Sequence, residues 1–339
     1  MTCQEEMHLT TVKEIGERKI IEIIRRKLSL PRMPIPFGDD VSGVKLGDNQ
    51  IAVLKTDMLV GKTDVPPGMS FWQVGRKAVV MNVSDFAAKG VKPIALLAAL
   101  GVPSAFLKKN VVQLANGLSA GAREHGAYVL GGDTGEASDL VVSCSLFGLS
   151  ERRLIPLRSG ARAGDIVAVT GFFGKSVAGL KLLLERASSS STVSRKIFLD
   201  AVLLPKARLR EGFALAQSRA VSASIDSSDG LAWSLYEISR ASHAGFLIDH
   251  LPVAPEVLRF AQRNKLDPLE LALYGGEEYE LVLTIKPKLW QRALHAVEQV
   301  GGRLLRIGTV TKKTEMILRW NGKSVVIEPR GWEHFRRRG

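Results

Sequence analysis

SIDSSDGLAWSL, residues 224–235, decides the fold. The alternation before Asp226 reads as the end of a strand, and LAWSLYEI after Gly230 reads as an amphipathic helix. A strand that turns directly into a helix is the unit of an α/β protein. The turn carries two aspartates. Asp226 is expected at the strand end and Asp229 at the N-cap of the helix, where an Asp side chain satisfies free backbone N–H groups. Capping accounts for one carboxylate, not for a second three residues earlier. No Lys or Arg lies between Arg219 and Arg240 to neutralise the pair.

The same alternation extends in both directions. Upstream, QIAVLKTD reads as a strand ending at Asp57, and FWQVGRKAVVMNVSDFAAKG as a long helix closed by Gly90. KPIALLAALGVP reads as a buried strand, residues 107–125 as a helix, AYVLGGDTG as a strand running into a glycine turn, and DLVVSCSLFGLS as another strand. Near residue 150 the Gly-rich basic turn RSGARAGD opens a second series, with strands at 221–226, 246–249 and 279–285 between helices. The expected organisation is two α/β domains, 1–150 and 151–339, in keeping with a length of 339 residues.

Composition narrows the function. Hydrophobic residues make up 45% and charged residues 24%, as in a globular protein with a large core. The two cysteines, Cys3 and Cys144, exclude a disulfide scaffold, and Cys144 inside an apolar strand reads as a packed thiol, which fits a cytoplasmic protein. MTCQEEMHLT has no signal-peptide pattern, and the apolar runs fall short of the roughly 20 residues that cross a bilayer, so no membrane association is expected. The net charge of +13 is spread along the chain without interleaved aromatic residues, an arrangement that attracts phosphorylated small molecules rather than forming a dedicated nucleic-acid site. A basic nucleic-acid-binding protein is the alternative of a different class; it predicts steep salt dependence.

The candidate chemistry is acidic. Asp39, Asp40, Asp57, Asp85, Asp133, Asp226 and Asp229 sit near element ends, most of them beside Gly, Ser or Thr. Each singly reads as a turn residue. Together they are hard oxygen donors suited to magnesium and a polyphosphate. The chain has no GxxxxGK[ST] loop, no HRDxxxxN catalytic loop, no GxSxG elbow and no His/Cys metal cluster. GGDTG is the nearest thing to a phosphate-cradling loop. No residue is expected to act as a covalent nucleophile.

In order, GDDVSG, LKTDMLV, RKAVVMNVSDFAAKGVKPIALLAALGVP, LGGDTG, LRSGARAGDIVAVTGFFGKSVAGL, SIDSSDGLAWSL, ALYGGEEYELVLT and PRGWEHF resemble the thiamine-monophosphate kinase family in its archaeal form. That family belongs to the aminoimidazole ribonucleotide synthetase superfamily. The resemblance covers about residues 38–335. It implies a two-domain α/β fold, with an N-terminal mixed-sheet half-barrel that dimerises through its sheet and a C-terminal α/β sandwich. It implies direct transfer of phosphate from ATP to thiamine monophosphate, with several Mg2+ ions.

Carried over by motif, Asp40, Thr56, Asp57, Asp85, Asp133, Asp226 and Asp229 would hold metal. Gly132, Asp133, Arg158 and Ser228 would lie along ATP, and Asp64, Glu277 and Trp332 would contact thiamine monophosphate. The chain departs from the bacterial pattern at two places: Asp64 stands where that pattern has a His, and Lys55 stands where a hydroxyl residue is common. Other members of the superfamily remain alternatives. Cys3 lacks the glycine-rich loop of a selenophosphate synthetase, and the terminal RRRG lacks the cysteine of a hydrogenase-maturation dehydratase. GGEEYEL and GWEHF favour the thiamine enzyme over an aminoimidazole ribonucleotide synthetase.

Overall fold

A computed structural model of the chain describes residues 11–185 and 187–335. Cys3 and the last residues of the basic tail lie outside the described residues. Two compact units emerge. One combines the chain up to Arg32 with the stretch from Trp332 onwards, and the other is Met33–Gly331. The first contains helix α1 (Val12–Lys27), opened by a capping box between Thr11 and Glu14.

In the second unit the first sheet is built from β1 (Ser42–Lys45), β2 (Gln50–Val60), β3 (Pro93–Val102), β4 (Tyr128–Glu136) and β5 (Val141–Glu151), in the order β1-β2-β5-β3-β4. Helix α2 (Gly61–Asp64) follows β2, α3 (Phe71–Ala88) precedes β3, and α4 (Lys108–Glu124) lies between β3 and β4. Only β3 and β4 are parallel, as the intervening helix requires.

The second sheet has the order β12-β11-β8-β10-β6-β9-β7. Its elements are β6 (Ile166–Val169), α5 (Lys175–Leu184), α6 (Thr192–Leu203), α7 (Leu209–Ser218), β7 (Val221–Asp226), α8 (Leu231–Ser242) and β8 (Gly245–Ile248). These are followed by α9 (Pro255–Asn264), α10 (Pro268–Leu273), β9 (Leu281–Ile285), α11 (Trp290–Glu298), β10 (Leu305–Thr311), β11 (Met316–Trp320) and β12 (Lys323–Val326). The α/β architecture expected from the sequence is observed. No described helix is long and apolar enough to cross a membrane.

Helix α3 joins the two sheets. Ser70 and Gln73 form its capping box, and Gly90, with φ of 61°, ends it. Its apolar residues point in every direction, the pattern of a helix buried all round. Val74, Val80, Val83 and Phe86 are fully buried, each contributing about 1.5–3 kcal/mol. Ala87 and Ala88 pack against Leu215, Leu281 and Leu283 of the second sheet's layer, while Val79, Val83 and Phe86 pack into the first.

The structure corrects four expectations. β2 continues past Asp57 to Val60. β3 is buried only on alternate residues, and Leu97 is exposed. GGDTG is extended strand inside β4, not a turn. Its Gly132 is demanded by the sheet, since a Cβ there would lie 1.8 Å from the Ala98 carbonyl oxygen. Asp229 is not the N-cap of α8, because that position is taken by Gly230 with φ of 111°.

Helices α3 and α4 cross with backbones almost in contact. A Cβ on Gly117 would lie 2.0 Å from the Trp72 carbonyl oxygen, and one on Gly75 would lie 2.3 Å from that of Leu114. Backbone cannot yield as a flexible side chain can. Gly117→Ala is therefore expected to destabilise the protein by about 1–3 kcal/mol and to lower Tm by roughly 2–10 °C in a thermal melt.

Candidate active site

Asp226 ends β7, Asp85 lies in the last turn of α3, and Asp40 lies in the loop before β1. These three buried carboxylates lie within 4.8 Å of one another. Asp57 is next to them: Lys55 Nζ lies 3.0 Å from both Asp57 Oδ1 and Asp85 Oδ1. Strand alternation explains the arrangement. Lys55 and Asp57, two residues apart on β2, share the face that packs on α3.

The adjacent carboxylates Asp39 and Asp40 are compensated from distant sequence. Lys89, fully buried, places Nζ 2.6 Å from Asp39 Oδ1 and 2.8 Å from Asp40 Oδ2, and donates to the Ser224 carbonyl at 2.7 Å. Arg158 donates through Nε to Asp40 Oδ1 at 2.7 Å, and its Nη2 pairs with the same oxygen. Lys55, Lys89 and Arg158 reach the cluster through tertiary folding, and the charges of Lys55 and Arg158 offset the burial of Asp226 only in part.

The electrostatics remain unequal. Burial alone would push Asp40 upward, but Arg158 and Lys89 outweigh it and hold its carboxyl below the usual range. Burial raises Asp85 well above the ordinary value, opposed by Lys55 and reinforced by Asp57, Asp226 and Asp40. Burial and then the Asp40 charge push Asp226 up to about 7. Ser84 Oγ donates to Asp226 Oδ2 at 2.7 Å, a single neutral hydrogen bond that only partly counters those effects. Two carboxylates whose charge is disfavoured, Asp85 and Asp226, beside Asp40, which is held ionised, are a donor set for a hard divalent cation.

Other expected site residues fall in different places. Thr56 points to the opposite face of β2 from Asp57, where its hydroxyl donates to the Cys144 carbonyl at 3.1 Å and accepts from Ser145 Oγ at 3.0 Å. Asp133 is in the row of Met58, Ser143 and Ala99, beside the row of Asp57, Cys144 and Ala98. Alternation therefore puts Asp133 on the open face with Thr56, three strands across from β2. Neither side chain is brought to the cluster within one chain. Cys144 faces the core, and burial pushes its thiol up to about 12, an inert packed group.

The two most distinctive motifs bind each other. Ser227 N donates to the Glu280 carbonyl at 2.8 Å, Glu277 N to the Ser228 carbonyl at 2.6 Å, and Tyr279 N to the Ser227 carbonyl at 2.9 Å. Glu277 and Tyr279 pay for this fit with left-handed backbone, φ of 62° and 53°. Asp229 lies in the same turn but outside the three-carboxylate group.

Glu277 Oε1 lies 2.5 Å from Nζ of buried Lys77, which also donates to the Asp64 carbonyl at 2.9 Å. The Asp64 carboxylate accepts from Val60 N at 2.7 Å. Two expected substrate residues thus meet at one lysine. Trp332 belongs to the other compact unit, where it packs edge-on to His334 with ring centroids 6.0 Å apart.

Sequence reasoning missed Lys77, Ser84 and Lys89. The available signal was polar and charged residues inside an apolar helix, which cannot be buried without partners.

Comparison with known proteins follows this geometry. The model of the AIR synthase related protein N-terminal domain matches residues 38–150, and that of the C-terminal domain matches 162–321. The thiamine-monophosphate kinase of Nitrosopumilus maritimus is 36% identical over 96% of this chain and 100% of its own length. That of Pyrococcus horikoshii is 37% identical over 88% and 91%. The solved structure of AaThiL complexed with AMPPCP and TMP superposes with a TM-score of 0.84 at 28% identity, covering 96% of this chain and 99% of that one.

The raised carboxyl of Asp226 makes stability depend on pH. Its pKa of about 7 in the folded chain lies above the ordinary 3.8, so the folded state holds the proton more tightly than the unfolded state. That contribution is complete below about pH 4 and is lost as pH rises through about 7. In EDTA at pH 8, Asp226→Asn should melt at or above the wild-type temperature, with a flatter profile between pH 4 and 7. A lower melting temperature at pH 8 would assign Asp226 a purely structural role.

Proposed function

The chain belongs to the thiamine-monophosphate kinase family within the AIR synthase related proteins, and on that basis we propose that it phosphorylates thiamine monophosphate with ATP. The bond from the β,γ-bridging oxygen to the γ-phosphorus of ATP breaks. A bond from a phosphate oxygen of thiamine monophosphate to that phosphorus forms, giving ADP and thiamine diphosphate. The observation that carries this reading is the buried trio Asp40, Asp85 and Asp226 in a chain of this family. AMPPCP, held by AaThiL together with TMP, is a methylene analogue of ATP.

Phosphoryl transfer asks the protein for position and charge, not for a nucleophile. On this reading Asp40, Asp57, Asp85 and Asp226 hold Mg2+, and Asp229 holds a further ion. Held there, Mg2+ would supply charge neutralisation for the triphosphate. Arg158 and Lys89 keep Asp40 ionised and in place, and Ser84 fixes one oxygen of Asp226. Ser228 lies along the nucleotide. Glu277 and Asp64, both tied to Lys77, receive thiamine monophosphate; for Trp332 the family resemblance implies stacking on a heteroaromatic ring.

The working form is read as a homodimer. Leu54, Met58, Leu97 and Leu149 are exposed on the first sheet, and Tyr128 and Leu130 on its edge strand β4. An apolar face with a bare strand edge calls for a partner, and a second copy supplies the same surface. Thr56, Gly132 and Asp133 act from that open face, where the second copy encloses them. Two domains meeting near residue 150 fit the two sheets. An unpaired buried thiol at Cys144 fits the cytoplasm.

Turnover of ATP should require both Mg2+ and thiamine monophosphate. Free thiamine, hydroxymethylpyrimidine phosphate and formylglycinamidine ribonucleotide should give no comparable ADP release. Equal turnover with free thiamine overturns the assignment. Leu97→Asp is expected to convert the dimer to monomer in light scattering after gel filtration, with the fold retained by circular dichroism.

A further inference from the structure

Lys55 stands apart from the other cations of the site. Lys89 and Arg158 also bind backbone carbonyls, of Ser224 in β7 and of Gly38 in the loop before β1, and hold Asp39 and Asp40 beside them. Lys55 pairs with two carboxylates, Asp57 on its own strand and Asp85 on α3, each at 3.0 Å. Its side chain is one-fifth exposed, so the ammonium has lost most of its water. An ammonium at that distance occupies the space in which a divalent ion would bind the same two oxygens.

The charge balance gives this position a consequence. Five carboxylates gather here: Asp39, Asp40, Asp57, Asp85 and Asp226. Three cations face them: Lys55, Lys89 and Arg158. With every carboxylate ionised, negative charges outnumber these cations, and Arg158 is shared with Glu237 at 3.7 Å. Removing the Lys55 charge would leave Asp57 and Asp85 without a counter-charge, and a buried carboxylate pair without one is strongly unfavourable.

We propose that Lys55 is a built-in cation that stands in for one divalent ion between Asp57 and Asp85, so that this chain needs one metal fewer than its carboxylates would otherwise take. The inference rests on reading the cluster as a metal–nucleotide site. It makes Lys55 a positioning residue that holds β2 to α3 before any metal binds. It also sets the metal count of the site from within the chain.

The test counts metal directly. Mn2+ bound per chain is measured by equilibrium dialysis in saturating AMPPCP, without thiamine monophosphate, for wild type, Lys55→Met and Lys55→Arg. Lys55→Met should bind one additional Mn2+ per chain. In EDTA it should melt about 6 °C or more below wild type, and Mn2+ should recover most of that loss. Lys55→Arg, which keeps the charge, should bind the wild-type number. Lys55→Gln, purified in Mn2+, repeats the count with a residue that retains hydrogen-bonding atoms should the Met variant fail to fold. An equal Mn2+ count in wild type and the neutral variants overturns the proposal, as does an added ion in Lys55→Arg. Failure of the kinase reading would show in the acceptor specificity of turnover, which this count does not touch.

Discussion

The need to pair charges buried around helix α3 governs this molecule. α3 is enclosed on all sides, yet it carries Lys77 and Asp85, and Lys89 follows at its C-cap. A charge removed from water must find a partner, and each partner comes from another part of the chain. Lys89 draws in the loop of Asp39 and Asp40 and the Ser224 carbonyl of β7. Asp85 draws in Lys55 of β2, and Lys77 draws in Glu277 from the loop before β9. The same contacts that satisfy the helix bring the two sheets together at the carboxylates.

Pairing is incomplete where chemistry would occur. Arg158 and Lys89 compensate Asp40, whereas Asp226 has only a serine hydroxyl and Asp85 shares Lys55 with Asp57. The result is a graded site, with one carboxylate kept ionised and two whose charge is disfavoured. Such a gradient gives a cation a reason to bind and gives the metal-free chain a reason to tolerate its absence. Backbone strain follows the same distribution: the left-handed Glu277 and Tyr279 clasp the acidic turn through Ser227 and Ser228.

The first sheet shows how one strand can serve two surfaces. Along β2, Lys55 and Asp57 face α3, while Leu54, Thr56 and Met58 face outward. Residues adjacent in one motif are therefore parted by the thickness of the sheet. Thr56 and Asp133 share the outer face with apolar side chains that a second copy can cover. This division gives the motif LKTDML an inner side that pairs charges and an outer side that is exposed.

The sequence by itself determined the α/β class, the strand–turn–helix at Asp226, and the inventory of acidic turns, because periodicity and turn chemistry are local. It also determined that Asp64 and Lys55 depart from the related pattern. It misplaced Asp229 as a cap and GGDTG as a turn, because Gly230 and the pairing of β4 with β3 override local preference. Tertiary structure alone decided which carboxylates converge, that Thr56 and Asp133 lie on the opposite face, and that Lys55, Lys89 and Arg158 pair with Asp57, Asp85, Asp39 and Asp40 beside the turn at Asp226. The physical reason is that electrostatic partnership depends on distance in space. Residues 142 positions apart, Ser84 and Asp226, become hydrogen-bonded neighbours only when the helix and strand that carry them are packed together.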